Sequence, residues 1–372
     1  MEPQCDDGSA SKGEWGVLKT TSIQWTGFEP KQNKKLPNTL EPRAKLSLSK
    51  NDILVTRAGP NERVGVVSIV NQDYPMLMLS DKIIRLRANA EVDPSYLALN
   101  LSLKKSNYQI MRKASGLATS QTNISQGFLL QTKLNVPELA EQQKIASFLS
   151  KVDEKITLLT EKKAKLTEYK KGVMQQLFDG SFQEQDGKLV FVPPTLRFKA
   201  DDGSEFPDWE EKALRNVSTI NPKTKSLPSM FNYIDLEAVN KGVLGDTENI
   251  NAASAPSRAQ RLLAKKDIIF QCVRPYQKNN LLFDLDGDFV ASTGYAQLRA
   301  KSTPEFLYYA IQTKKFTDDV MSRCTGTSYP AINSTDLASV AVGWPKSELE
   351  QAKIANFLSF LDKKNRTHKQ RT

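Results

Sequence analysis

One helical segment is written twice in this chain. "AEQQKIASFLSKVDEKI" runs from Ala140 to Ile156, and "EQAKIANFLSFLDKKN" begins about 200 residues later at Glu350. About ten of sixteen aligned positions are identical, far beyond chance for so short a stretch. A chain that repeats a helix at this distance is constrained to a duplicated architecture, with whatever precedes each helix expected to repeat as well.

The first copy opens a longer helical pattern, "ELAEQQKIASFLSKVDEKITLLTEKKAKLTEYKKGVMQQLF", over residues 138–178. Apolar residues recur every seven positions at Ile145, Val152, Leu159, Leu166 and Val173, with Leu149 and Ile156 between them. Lys163 and Lys170 interrupt the second set. Sustained heptads of this kind predict a coiled-coil seam rather than a surface helix packed on its own domain. Some 38 helical residues would run roughly 57 Å. The only internal glycine is Gly172, and "DGS" at 179–181 is a stop signal. The second copy keeps Ile354, Leu358 and Leu361, but Asn365 and His368 then break the pattern.

The repeat extends upstream. "LSKNDILVTRAGP" (48–60) matches "LAKKDIIFQCVRP" (263–275), each a Lys-x-Asp turn, a β-branched strand and a loop closed by proline. "DPSYLALNL" matches "TPEFLYYAI", a proline-initiated helix in each half. "ASGLATSQTNIS" (114–125) matches "CTGTSYPAINST" (324–335). The expected organisation is a first domain over 1–137, a long helix over 138–178, a linker over 179–207 with one short strand at "KLVFV", a second domain over 208–346, and a second, shorter helix over 347–372. Short strands, short helices and polar loops without βαβ alternation predict an α+β class.

Composition narrows the function. The 372-residue chain has an apolar fraction of 39 % and carries a net charge of +10, a weak pointer to a polyanionic partner. No apolar run is long enough to span a membrane, and "MEPQCDDGSASKGEW" does not read as a signal peptide. Three scattered cysteines, Cys5, Cys272 and Cys324, argue for a reducing, cytoplasmic setting. His368 is the only histidine and no cysteine pair has metal-ligand spacing, so no His-based catalytic triad or zinc site is expected. Walker A and glycine-rich nucleotide motifs are missing too. The acids of "PDWEEK" (207–212) are adjacent on one short element and read as a domain opening, with Trp209 in the core.

What remains are polar, basic and aromatic loops in repeated positions. In the first half they present Arg57, Asn61 and Arg63, then Thr119, Ser120, Gln121 and Asn123. In the second they present Arg274, Tyr276, Gln277 and Lys278, then Ser292, Thr293 and Tyr295, then Thr327, Ser328, Tyr329 and Asn333. Arginine and lysine suit phosphates and guanine edges, glutamine and asparagine suit adenine, and hydroxyls serve either. Singly, each of these residues fits an ordinary solvated loop; together on a repeated scaffold they predict recognition.

Here the residues acquire a family likeness. The 138–178 helix resembles the central conserved region of the specificity (S) subunits of type I restriction–modification systems. "LRFKADDGSEFPDWEEKALRNV" resembles the opening of one of their target recognition domains, and "VRPY" with "STGYAQLRA" resembles the interior of such a domain. The likeness covers nearly the whole chain. It implies two tandem target recognition domains separated by conserved coiled-coil helices in a pseudo-twofold repeat. Each domain would read one half of a bipartite double-stranded DNA site, with the helices setting the gap. Two methyltransferase (M) subunits carrying S-adenosylmethionine would dock, and restriction (R) subunits using ATP and Mg would join them. The specificity chain would bind no cofactor or metal and catalyse nothing.

Two departures from the family pattern are expected to matter. The first domain has no counterpart of "FPDWEEKALRNV", and its "GEWGVLKTTSI" aligns nearer to "FNYIDLEAV". The second helix is short. Both suggest a chain truncated at its two ends, with part of the seam open to self-association. The competing reading is a coiled-coil structural adaptor, or an inactive remnant, without specific DNA readout.

Overall fold

The structure, a computed structural model, describes residues 8–115, 122–185 and 188–367. The chain divides into two compact units, Met1–Thr157 and Leu158–Thr372. Among the described residues no helix is long and apolar enough to cross a membrane.

The first unit holds a four-stranded sheet in the order Asn33–Lys35, Gly16–Leu18, Tyr74–Met78, Ser47–Leu48. A three-stranded sheet runs Ile83–Leu86, Ile53–Thr56, Val67–Ile69. The second unit repeats both. Its mixed sheet runs Glu248–Asn251, Met230–Ile234, Phe289–Ser292, Ala259–Leu262. Its antiparallel sheet runs Ser218–Ile220, Tyr295–Ala300, Ile268–Gln271, Leu281–Leu282. Each mixed sheet has one parallel pair, Gly16–Leu18 with Tyr74–Met78 and Met230–Ile234 with Phe289–Ser292. "GVL" therefore takes the place of "MFNYI".

The Lys-x-Asp turn shows why both halves fold alike. Asn51 and Lys266 stand at the same turn position with φ of 71° and 68°. The following aspartate is buried in each case. Asp52 accepts from the Ser49 N–H at 2.9 Å and from Arg87 Nε at 2.7 Å. Asp267 accepts from the Ala264 N–H at 2.7 Å and from Arg299 Nε at 2.8 Å. The carboxylate closes the turn and ties it to the next strand, so its desolvation is compensated by charge-assisted hydrogen bonds.

The proline-initiated helices are Pro94–Ser102 and Pro304–Ala310. Asp93 caps the first, accepting from the Tyr96 N–H at 2.9 Å. Beyond them run the long helix Leu139–Phe178 and the closing helix Glu348–Thr367. His368 lies outside the described residues. Gln142 and Gln351, equivalent in the repeat and each buried, lock these helices to their units. Gln142 accepts from the Asp93 N–H at 2.9 Å and donates to Pro137 O at 2.8 Å. Gln351 accepts from Ser302 Oγ at 3.3 Å and donates to Pro345 O at 2.9 Å.

The heptad positions divide by environment. In the second unit Val173, Ile354, Leu358 and Leu361 are buried in one core, with Leu166 packed against it. Lys170, which breaks the heptad, pairs with Asp362 at 2.5 Å and lies over the Tyr309 ring, whose hydroxyl donates to the same carboxylate at 2.8 Å. Leu159 is half-buried. In the first unit Ile145 is half-buried, while Leu149, Val152 and Ile156 are 37 %, 37 % and 47 % exposed.

Unit two has elements without a counterpart among the described residues of unit one. Glu210–Ala213 pairs with Ala341–Trp344, and Trp209 stacks edge-on against Phe178 and Phe306 in the core. The segment expected to hold one strand holds two, Ser181–Gln185 and Lys188–Val192, paired antiparallel.

Candidate nucleic-acid interface

In the first unit the strand Ile53–Thr56 delivers Arg57 to the start of the 57–63 loop. Ala58–Gly59 then pairs with Thr122–Asn123, and the Ile124 N–H donates to Arg57 O at 2.8 Å. Two candidate loops far apart in sequence are thus held side by side. Arg57 is half-buried, and its guanidinium has no hydrogen bond or ion pair among the described residues. Asn61 and Asn123 are exposed, and Asn61 Oδ1 accepts from Thr122 Oγ1 at 3.5 Å. Thr119, Ser120 and Gln121 lie outside the described residues.

The second unit builds the same junction. Ile268–Gln271 delivers Cys272, the Ile332 N–H donates to Cys272 O at 3.1 Å, and the Arg274 N–H donates to Pro330 O at 2.7 Å. The matching hydrogen bonds make Ile332 the partner of Ile124, so the ungapped alignment of these loops slips by two residues. Ser115 bridges to Asn123 across eight positions, but Thr325 bridges to Ala331 across six. Asn333 therefore corresponds to Ser125, and both cap the next helix. Arg274 lies 4.3 Å above the Tyr329 ring in a left-handed conformation, φ 54°. Tyr276 and Tyr329 are 51 % and 62 % exposed, and Thr327 and Ser328 are exposed beside them.

Several candidate side chains are buried or engaged within the protein instead. Tyr295 is fully buried, with its hydroxyl directed at Leu236 O, and burial holds its ionisation well above the ordinary range. Its strand is buried on both faces, and alternation turns Tyr295 into one cluster with Ile234, Phe283 and Phe289 while Ala296 and Leu298 join another. Arg63 Nη2 donates to Thr20 O and Ile23 O, 2.8 Å each, bracing the first strands. Lys278 donates to Gln312 O at 2.8 Å, and desolvation lowers its pKa. Gln277 accepts from Gln271 at 2.9 Å. Ser292 is buried, and Thr293 is half-buried with its N–H on Arg258 O. Asn333 accepts from the Thr335 and Asp336 N–H groups, leaving it a helix cap.

Sequence reasoning missed the "NPKTKSLP" loop, residues 221–228. Asn221 Nδ2 donates to Ser334 Oγ at 2.8 Å, and Lys223 and Lys225 follow it in the lining of an open cleft. Alternating lysines between two prolines were the available signal.

Comparison with known proteins decides the family. The family model described as "Type I restriction modification DNA specificity domain" matches residues 17–168 and 207–372, most of the chain. The chain belongs to this specificity family. It is 40 % identical over 147 residues to the type I restriction enzyme EcoEI specificity subunit of Escherichia coli, covering 39 % of this chain and 25 % of that one. It is 25 % identical over 332 residues to the MjaVIII specificity subunit of Methanocaldococcus jannaschii, covering 85 % and 73 %. The crystal structure of a type I restriction–modification S subunit from M. genitalium shares the fold, with a TM-score of 0.58 at 17 % identity over 98 % of this chain and 86 % of that one. The chain thus spans a quarter of the E. coli relative and about three-quarters of the M. jannaschii one. The α+β architecture with two target recognition domains and a long helix agrees with the fold of the specificity family.

Proposed function

We propose that the chain reads a bipartite double-stranded DNA site, one half-site per unit, and is itself non-catalytic. The observation that carries this is the loop junction built twice, Arg57 with Ile124 and Cys272 with Ile332. Each junction leaves polar or aromatic side chains exposed at the same place in the fold, where loops on a rigid scaffold commonly recognise ligands. Arg57, Asn61 and Asn123 serve the first unit. Arg274, Tyr276, Thr327, Ser328 and Tyr329 serve the second.

We propose further that this reader works within a larger enzyme, a reading that its membership of the specificity family supports. Two methyltransferase subunits carrying S-adenosylmethionine dock on the helices and domains, and restriction subunits using ATP and Mg join them. Leu149, Val152 and Ile156 form the exposed stripe for such docking. Self-association through this stripe is the alternative occupancy, and light scattering at micromolar concentration separates a monomer from a dimer.

The experiment is co-expression with methyltransferase subunits followed by mapping of methylated adenines. A split motif with a constant gap supports the reading, and removal of one heptad from residues 145–173 should shorten that gap. An unchanged gap removes the measuring role of the helix. A structural adaptor predicts no specific motif and little DNA affinity. A reader should bind DNA far more weakly at 200 mM salt than at 50 mM.

A further inference from the structure

An open cleft of about 520 Å³ lies in the second unit, lined by Asn221 to Leu227 together with Gln260 and Arg261. Three of its lining side chains are cationic, Lys223, Lys225 and Arg261, and none is acidic. Asn221 pins one wall. Its backbone is left-handed, φ 49°, its Oδ1 accepts from the Gln297 N–H at 2.9 Å, and its Nδ2 holds Ser334. The other wall is the strand Ala259–Leu262, where the pairing register shifts between Ala259 and Arg261. Such an irregularity re-aims the side chains beside it and is common next to functional sites.

Arg261 is the unexplained group. Its Nε is buried without a hydrogen-bond partner, and among the described residues its guanidinium meets no carboxylate. Desolvation lowers its pKa from the ordinary value. Arg261 is half-buried, so its outer nitrogens stay within reach of a ligand while the buried Nε–H goes without a partner, which costs free energy. A bound anion would supply the missing partner. The neighbouring Thr224 hydroxyl donates to Gln260 O at 3.3 Å, which ties the two walls and keeps the cleft's shape.

We infer that this cleft holds a backbone phosphate of the DNA read by the second unit, with Arg261 as the inner cation and Lys223 and Lys225 at the mouth. The inference rests on the DNA-reading function proposed above and adds a sequence-independent anchor to it. Through Ser334 the cleft adjoins the Asn333 turn, so a strand seated there passes the Arg274–Tyr329 loop. Phosphate contacts set register and orientation, and base contacts at the loop then specify. In the first unit Leu46 stands where the repeat puts Arg261, so the anchor is asymmetric.

The test uses the full chain and two duplexes of unrelated sequence, with affinity measured across a salt series. Each phosphate-contacting cation contributes about 0.9 to the slope of log K against log salt. Arg261→Gln should flatten the slope by about 1 and Lys223→Gln/Lys225→Gln by about 1 to 2, equally on both duplexes. Arg261→Gln should leave the melting temperature nearly unchanged, since it removes a half-buried cation that has no carboxylate partner among the described residues. The exposed loop variant keeps the test valid if Arg261→Gln fails to fold. A wild-type slope retained by both variants overturns the assignment and leaves DNA reading intact. Salt-independent or absent binding by the wild type overturns both. An equal flattening by Lys162→Gln, on the exposed face of the long helix, reduces the effect to net charge and also overturns it.

Discussion

Arg299 grips Asp267 with two parallel donors, Nε to Oδ1 and Nη2 to Oδ2, each at 2.8 Å, while Gln297 donates to the same carboxylate at 2.7 Å. The carboxylate is 1 % exposed, and Arg299 remains half in water with its pKa raised by that hydrogen bond. In the first unit Asp52 is held by Arg85 and Arg87 from equivalent strand positions. The duplicated turn survives in both halves because one buried acid needs this set of donors.

Replacing that acid should be costly. Asp267→Asn keeps the shape but removes the charge that matches Arg299, so a loss of about 2–4 kcal/mol is expected. Chemical denaturation with separate probes for each unit checks it. Asp52→Asn should weaken the first unit in the same way and leave the second unmoved.

Gln351→Leu leaves Pro345 O and the Ser302 hydroxyl unsatisfied, at about 1–3 kcal/mol. Gln142→Leu should cost a similar amount in the first unit, where it strands the Asp93 N–H. Faster amide exchange in the segments before Pro94 and Pro304 is the signature to look for.

Lys170 and Asp362 should couple. Both side chains are about one-fifth to one-quarter exposed, and Tyr309 contacts both. A double-mutant cycle over Lys170→Ala and Asp362→Asn should return about 1 kcal/mol of coupling. A value near zero would mean that Tyr309 alone orients the carboxylate.

Cys272 should resist alkylation in the folded chain. Burial raises its thiol to about 12, so almost no thiolate exists at pH 7–8, and the residue is 8 % exposed. Cys324 is half-buried and should react first of the two. Mass spectrometry of iodoacetamide-treated protein, before and after denaturation, separates them.

Much of the fold was legible because it is carried by local pattern. Heptad spacing announced Leu139–Phe178, and Lys-x-Asp followed by β-branched residues announced the strands Ile53–Thr56 and Ile268–Gln271. The candidate site was legible only as loops. Arg274 and Tyr329 look alike in sequence to Lys278 and Tyr295. Yet Tyr329 is exposed with the half-buried Arg274 stacked on it, while Lys278 caps carbonyls and Tyr295 fills the core. A loop sequence states chemistry, whereas side-chain direction depends on which strand lies behind it.

Glu141 and Glu350 show where the division falls. They are the same residue at the same position of a repeated helix, and nothing in the surrounding "EQ-KIA-FLS" text distinguishes them. Glu141 is exposed and forms no ion pair among the described residues. Glu350 is fully buried, held by Arg197 Nε and Nη2 at 3.0 Å each while that guanidinium also donates to Phe206 O and Pro207 O. The sequence alone determined that both positions are helical and that the two helices are related, because periodicity is a property of neighbours along the chain. Whether the carboxylate meets water or a guanidinium was decided only in three dimensions, by a segment about 150 residues away that packs beside one copy and not the other.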